Sequence, residues 1–273
     1  MSATRLDQSH AALIQGFLER DPVANIFALG ALEQWAVERN PSVEWWGTMG
    51  PDGELDALVF AEGHRVGLGY ALVVPMGCAE ALADMAPRFS ERDGASWMVG
   101  EAAAADAIAA SLSEAEPAMS RRQLLMVLEE TRPGPTVQIR QAIMGDLCWV
   151  TEAARAVNDE DLGTGIIDMD GMAFSRKVEG SIASGSEWLG TGRSYRAKVG
   201  TRCAHGAQLG GVWVPPLSRG RGLGQFATRA LCQELLLSVP RITLHVGAEN
   251  ARAIRCYQAV GFQPVRDFRL WVR

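Results

Sequence analysis

Along the second half of the chain, the spacing of apolar residues switches repeatedly between alternation and helical periodicity. Alternation and short apolar runs predict strands at residues 137–140, 187–190, 195–202, 208–214 and 241–246, and spacings of three and four predict helices at 146–157, at 172–183, from 219–224 onward and from 250. In the third of these helices, Ala227, Leu231 and Leu235 would share one buried face. The polar segment 158–163 is predicted to be a loop. The resulting order is strand, two helices, three strands, helix, strand, helix and a final strand.

The first half of the chain repeats the later part of this order more faintly. Its pattern predicts strands at 56–61, 70–74, 95–99 and 123–128 and helices at 78–88 and 102–112. Between the halves, two prolines and a glycine in Thr131–Pro135 interrupt regular structure. We therefore expect an α/β (α+β) protein with one lobe at residues 1–131 and another at 136–273. An unrelated α/β fold in the first lobe is the alternative.

A glycine-rich segment, Arg219–Gly224, lies between a predicted strand and a predicted helix start. Backbone N–H groups at a helix N-terminus have no partner within the helix, and they carry the positive end of its dipole. Glycines let that backbone approach a phosphate closely, and the two arginines of the segment add charge and forked donors. The segment therefore predicts a site for a diphosphate.

The spacing around this segment decides which diphosphate is expected. A dinucleotide fold would place an acidic residue about 20 positions after G-x-G-x-x-G, and a P-loop would end in Gly-Lys-Ser/Thr. Neither pattern is present. Instead, Arg-x-x-Gly-x-Gly is followed by a strand, by Asn250-x-x-Ala253, by Tyr257 and by Gly261-Phe262. This ordered series closely resembles the GNAT acetyltransferase superfamily. The resemblance implies two tandem GNAT-like lobes, each a mixed, mostly antiparallel sheet flanked by helices.

The same resemblance implies acetyl-CoA as cosubstrate and assigns its site to the second lobe. The expected cofactor-binding residues are Val212, Trp213, Val214, Arg219, Gly220, Arg221, Gly222, Leu223, Gly224, Gln225, Asn250 and Ala253. Tyr257 lies two helical turns after Asn250 on the same face, and it is the expected general acid for the leaving thiolate. For Asn250, a pure helix-capping role is an equal alternative to a cofactor contact.

The other chemistry of acetyl transfer needs a donor for the thioester carbonyl and a neutral amine. Gly210-Gly211 in the preceding strand indicates either a bulge with an exposed main-chain N–H or close packing against a helix. Many relatives carry a glutamate on this strand, but residues 208–214 contain none. Glu160 and Asp161 are therefore candidates for the general base and tentative substrate residues. Glu187 and His205 are further candidates for the base, and each of the four is expected to be an ordinary surface residue.

The first lobe has no comparable loop. His64–Gly69 imitates the motif spacing, but an apolar β-type run follows it, so it is predicted to be a hairpin turn. Where a phosphate loop should stand, Pro75-Met76-Gly77 offers one glycine and no arginine. We expect this lobe to bind no CoA.

Composition and charge narrow the class of protein. The chain has 273 residues with 48% hydrophobic content and no apolar run of membrane-spanning length. Residues 1–135 carry 9 arginines and 20 acidic residues, a net −11, while residues 136–273 carry 17 basic and 12 acidic residues, a net +5. The basic half suits a triply phosphorylated ligand, but it is too weakly basic for nucleic acid. Five scattered cysteines without a Cys-x-x-Cys pair indicate neither disulfides nor a metal site.

These features together predict a cytoplasmic, acetyl-CoA-dependent N-acyltransferase. Its acceptor would be a small-molecule or peptide amine, with no nucleic acid, membrane or metal involved, and its oligomeric state is left open. The competing hypothesis is a non-enzymic acyl-CoA-binding regulatory module.

Overall fold

The computed structural model describes residues 3–38, 40–63, 70–90, 95–110, 117–163 and 171–272. These residues form two compact units. The first comprises the described residues of Met1–Leu125, Val246–Glu249 and Val265–Arg273, and the second comprises those of Met126–His245 and Asn250–Pro264.

The first half of the chain contributes six strands and five helices within its described ranges. They are β1 (Thr4–Leu6), α1 (Ala11–Leu18), α2 (Ile26–Glu38), β2 (Val43–Met49), β3 (Leu55–Gly63), β4 (Tyr70–Gly77), α3 (Ala79–Met85), α4 (Pro87–Ser90), β5 (Ala95–Glu101), α5 (Ala102–Ala109) and β6 (Met119–Leu128). Strands β1 to β4 pair antiparallel in order, and β4 pairs parallel with β5. Val59, Val73, Leu82, Met98 and Ile108 meet in the core of this unit.

The elements of the second half repeat this order, with one helix where the first half has α3 and α4. They are β7 (Ile139–Gln141), α6 (Leu147–Leu162), α7 (Gly171–Ala183), β8 (Glu187–Gly190), β9 (Arg196–Cys203), β10 (Gly206–Trp213), α8 (Leu223–Leu235), β11 (Ile242–Gly247), α9 (Ala251–Val260) and β12 (Gln263–Val272). Strands β7 to β10 pair antiparallel in order, and β10 pairs parallel with β11. Both units are thus built on a mixed, mostly antiparallel sheet with flanking helices, which confirms the expected fold class.

The element boundaries differ from the sequence predictions in a few places. The predicted loop 158–163 is wrong, because α6 continues to Leu162 and ends at Gly163, whose φ is +94°. The single helix predicted at 78–88 is two, α3 and α4. The elements β1, α1, α2 and β2 were not predicted. The predicted hairpin turn at 64–69 lies outside the described residues.

The last strand of the chain belongs to the first unit over most of its length. Residues 268–272 of β12 pair antiparallel with residues 97–101 of β5. The first unit therefore has the strand order β1-β2-β3-β4-β5-β12, and the second has β7-β8-β9-β10-β11. Strand β6 is divided between the units, with residues 119–125 in the first and 126–128 in the second. The two units are consequently not continuous halves of the sequence.

A buried arginine on α8 anchors the proline-containing segment at the start of the second unit. Arg229 is 1% exposed and donates to the carbonyl oxygens of Arg132, Pro135 and Ala259 at 3.0, 2.7 and 2.9 Å. Its guanidinium thus satisfies three main-chain acceptors that no regular strand or helix satisfies.

Replacing this anchor should destabilise the second unit. Arg229→Met would leave three carbonyls without their charged donor, so we expect the free energy of unfolding to fall by about 2 kcal/mol. Urea denaturation measures the change. Arg202→Met, at an exposed position of the same unit, is the control and should change stability by less than about 0.5 kcal/mol. Equal effects of the two substitutions would contradict the anchoring role.

Candidate active site

Strand β10 separates from both of its neighbours near its end. Its pairing with β11 covers Ala207–Leu209 and stops there. On the other side, its register with β9 passes from Gly210 directly to Trp213, so Gly211 and Val212 form a bulge. The regular ladder is therefore interrupted at this bulge, which is a place where main-chain groups can turn toward a ligand.

A buried ion pair supports the bulge. Gly211 has φ +56°, and its carbonyl accepts a hydrogen bond of 3.1 Å from Arg196 Nη1. Arg196 also donates twice to Glu187, from Nε at 2.9 Å and from Nη2 at 2.8 Å. Glu187 is 1% exposed and Arg196 4% exposed. The expectation that Glu187 lies on the surface is therefore wrong, and both of its carboxylate oxygens are occupied.

The glycine-rich loop turns sharply into α8. Gly220 and Gly222 have φ of +78° and +75°, and Gly222 caps α8 without any side-chain hydrogen bond to the helix start. The first helical N–H groups, from Leu223 onward, are thus left to an external partner. A Cβ at Gly220 would meet nothing within 4 Å, so the loop has open space there. This geometry fits a diphosphate.

Arg219 points to the protein rather than standing free in the loop. Its Nη2 lies 2.6 and 2.8 Å from the two carboxylate oxygens of Glu160, and its Nε donates to the Val214 carbonyl at 2.8 Å. Trp213 Nε1 donates to the same carboxylate at 3.1 Å. Burial alone would raise the pKa of Glu160, but the hydrogen bonds from Arg219 and Trp213 outweigh it and lower that pKa. Glu160, in the last turn of α6, is therefore a charged carboxylate that binds both Trp213, at the end of β10, and Arg219, in the glycine-rich loop.

Asn250 and Tyr257 lie at opposite ends of α9. Asn250 caps the helix, since its Oδ1 accepts from the Ala253 N–H at 3.0 Å. Tyr257 is 9% exposed, and its ring packs edge-on against Phe262 with centroids 5.8 Å apart. Its hydroxyl makes no hydrogen bond to any described residue.

The environment keeps Tyr257 protonated. Burial raises the pKa of its hydroxyl well above the usual value, and nearby acidic groups, including Asp161, add to the effect. Burial likewise raises the pKa of the Cys256 thiol, the preceding residue on α9. Asp161, a tentative substrate residue, thus lies within electrostatic reach of the expected general acid.

The remaining sequence candidates fall in different places. His205 lies in the turn between β9 and β10, at the other end of the hairpin from the bulge. Lys198 was not among the predicted site residues, and its Cα pairs with that of Gly210 across the hairpin. Burial lowers the pKa of the Lys198 ammonium, and the charge of Glu187 opposes that shift. The sequence feature that could have drawn attention to Lys198 is the rarity of lysine, because the chain has two lysines, Lys177 and Lys198.

The corresponding place in the first unit is closed. Gly77 ends β4 with φ +99°, and a Cβ there would meet the Asp56 carbonyl oxygen at 2.5 Å. The helix that follows, α3, has seven residues and carries Glu80 in its first turn. A hydrogen bond from Cys78 lowers the pKa of Glu80, so this carboxylate is charged at neutral pH. Close packing and a negative charge both oppose a phosphate here.

Comparisons with known proteins agree with this architecture. The FR47-like protein family matches residues 197–272. A GNAT-family acetyltransferase from Colwellia psychrerythraea is 11% identical with a TM-score of 0.55, and the alignment covers all of both chains. A GCN5-related N-acetyltransferase from Sphaerobacter thermophilus is 16% identical with a TM-score of 0.61, covering 100% of this chain and 95% of the other. A tandem GNAT protein from the clavulanic acid biosynthesis pathway is 10% identical with a TM-score of 0.54, covering 100% and 98%. No curated protein sequence matches significantly.

The fold is therefore that of the GNAT acetyltransferases, present over the whole chain. The FR47-like match lies within the second half of the chain. Among the described residues, no helix is both long and apolar enough to span a membrane. The same residues contain no cluster of three or more His, Cys, Asp or Glu side chains suited to a metal ion.

Proposed function

We propose that the protein is an acetyl-CoA-dependent N-acyltransferase whose single active site lies in the second lobe. The observation that carries the proposal is the conjunction of an uncapped helix start after Gly220 and Gly222 with a strand whose ladder is interrupted by a bulge at Gly211 and Val212. The first feature suits a diphosphate, and the second suits the chain that connects it to a thioester. All five cysteines are free thiols, which supports a cytoplasmic location.

Several residues would hold the cosubstrate. The N–H groups of Leu223, Gly224 and Gln225 would bind the pyrophosphate, with the exposed Arg221 supplying charge. Main-chain groups of residues 212–214 would hold the pantetheine arm. Arg219 would contribute indirectly, because its hydrogen bonds to Glu160 and to the Val214 carbonyl fix the loop against the end of β10. Asn250 would shape the start of α9 through its cap.

Acetyl-CoA supplies an activated acetyl group that a neutral amine takes up by direct attack. The main-chain N–H of Val212 would stabilise the negative charge that develops on the thioester oxygen. Tyr257 would protonate the departing thiolate. A tyrosine hydroxyl carries its proton at neutral pH even at its usual pKa, and the raised pKa of Tyr257 does not change this, so the proton that the thiolate needs is present. Burial, which raises the pKa of the neighbouring Cys256, would also make a departing thiolate more basic than in water.

The acceptor is proposed to be a small-molecule or peptide amine. Asp161 would stand near its site, because the carboxylate lies within electrostatic reach of Tyr257. The second candidate function is a non-enzymic acyl-CoA-binding module. It is supported by the occupied carboxylates of Glu160 and Glu187, which leave neither residue available as a base.

The difference between the two lobes predicts how many CoA molecules bind to each chain. Gly77 is closely packed and Glu80 is charged at the first-lobe position, so we expect one CoA per chain in a calorimetric titration. Gly222→Val should weaken all of that binding by about 100-fold, and no second site should remain at the parent's affinity. Two equivalent CoA molecules per chain would contradict the assignment of a single site to the second lobe. One CoA that still binds to Gly222→Val at the parent's affinity would show that the site was assigned to the wrong lobe.

A further inference from the structure

The geometry points to the Glu187–Arg196 pair as the positioning unit of the active site, which aims and polarises the Val212 N–H by holding the Gly211 carbonyl. This inference rests on the proposed function and adds two positioning residues to it. It concerns residues that lie on β8 and β9, outside the loop and helix that make up the motif.

The first step is the fixed direction of one peptide group. The Gly211 carbonyl and the Val212 N–H belong to the same planar trans peptide, so they point in opposite directions. Arg196 Nη1 holds the carbonyl oxygen at 3.1 Å. With the oxygen held from one side, the N–H is directed to the other. The register with β9 skips both residues, so this peptide group lies at the interruption of the ladder.

The second step is the rigidity of the arginine. Two hydrogen bonds of 2.8 and 2.9 Å to Glu187 fix the guanidinium plane, and both side chains are at least 95% buried. A Cβ on residue 211 would stand 2.6 Å from Arg196 Nη1. Glycine at 211 is thus required both by its φ of +56° and by the closeness of the guanidinium. The positions of Glu187, Arg196 and Gly211 therefore depend on one another.

The third step is electronic. A charged donor on a carbonyl oxygen polarises the whole peptide group, which makes its N–H a stronger donor in a low-dielectric site. Glu187 compensates the charge of Arg196, and Lys198 faces Glu187 from the opposite position on β9. The arrangement therefore strengthens the donor at the point where negative charge develops in the reaction.

The test is the infrared spectrum of acetyl-CoA labelled with ¹³C at the thioester carbonyl. In the parent protein, a hydrogen bond from Val212 should shift the labelled carbonyl band to lower wavenumber on binding. The double variant Glu187→Leu with Arg196→Met replaces the pair by apolar side chains of similar size, which cores tolerate better than one unpaired charge. We expect it to lose at least half of the shift, while its affinity for CoA, which has no carbonyl at this position, stays within about threefold.

A second variant disrupts the contact between Arg196 and the Gly211 carbonyl without changing the charge of Glu187 or Arg196. Gly211→Ala should displace Arg196 from the carbonyl and reduce the infrared shift in the same way. In turnover, both variants should lower kcat about tenfold, or about 1.4 kcal/mol, with little change in KM for acetyl-CoA. Asp146→Asn is the control, because it weakens another ion pair of the second unit, in which buried Asp146 lies 2.7 Å from the half-exposed Arg140. It should lower stability and leave the infrared shift unchanged.

The outcomes separate the two claims. An unchanged carbonyl shift in the double variant and in Gly211→Ala would overturn the positioning role. A shift lost equally in Asp146→Asn would also overturn it, since general loosening would then explain the effect. Absence of acetyl-CoA binding by the parent protein would overturn the proposed function itself, which calorimetry detects independently of the spectrum.

Discussion

Tyr257→Phe is expected to lower kcat by about 100-fold while the affinity for CoA stays within a few-fold. The substitution removes one hydroxyl and keeps the ring that packs against Phe262. That hydroxyl has no hydrogen-bond partner among the described residues, so its loss leaves no other group unsatisfied. The effect therefore reports on proton transfer to the thiolate. Pre-steady-state and steady-state rates of thiol release measure it, provided that chemistry limits the rate.

Tyr195→Phe is the matched control for this prediction. Tyr195 is also buried in the second unit, and its hydroxyl lies 3.1 Å from Thr228 Oγ1. Loss of that hydrogen bond should cost about 1 kcal/mol of stability and leave kcat nearly unchanged. If Tyr257→Phe were as active as the parent, Tyr257 would be a core residue. If both substitutions lowered kcat alike, the effect would be one of packing.

Gly222→Val is expected to weaken CoA binding by about 100-fold, or about 2.7 kcal/mol. From the sequence, the expected reason is a branched side chain against the phosphate. The structure adds two others. Gly222 has φ +75°, and its Cβ would meet the Phe226 ring at 2.6 Å. The substitution would therefore also distort the helix start that presents the N–H groups.

Because Gly222→Val strains the backbone, its control must strain the backbone equally elsewhere. Gly192, in the turn between β8 and β9, has φ +64° and nothing within 4 Å of a Cβ. Gly192→Val should lower stability and leave the calorimetric affinity for CoA unchanged. Unchanged affinity in a folded Gly222→Val variant would remove the glycine-rich loop from the site.

The sequence predicted the order of elements in the second unit well, since each has a strong local signal. The helix face of Ala227, Leu231 and Leu235 is buried as expected. The end of α6 was predicted wrongly for a physical reason. Its last turn is polar because it is exposed, and Leu162 alone among residues 158–162 is buried. Polarity there indicated a solvent-facing helix end, not a loop.

The pairing of the last strand could not be read from the chain. Alternation in β12 tells which face of a strand is buried, but it does not tell which strand lies beside it. The sequence-based domain limits of 1–131 and 136–273 assign residues 265–272 to the second lobe, whereas the compact units place them with the first. Partner choice depends on contacts far apart in sequence, such as Trp271 with Met98.

The site shows the same contrast between local and distant contacts. The conformations of Gly220 and Gly222 follow from a local motif that glycine spacing reveals. The partners of the charged residues do not. Arg219 forms an ion pair with Glu160, and Arg196 forms one with Glu187. Each pair joins two elements whose relative positions the sequence does not specify. Their roles in binding and catalysis stay predictions that the proposed variants test.

The central claim, acyl transfer at the second-lobe site, is tested most directly by thiol release from acetyl-CoA over a panel of small-molecule and peptide amines. The account predicts that at least one amine accelerates the release, that an acetylated amine forms in equal amount, and that Tyr257→Phe slows both. Binding of one acetyl-CoA per chain without amine-dependent release across the panel would contradict it and would favour the acyl-CoA-binding module.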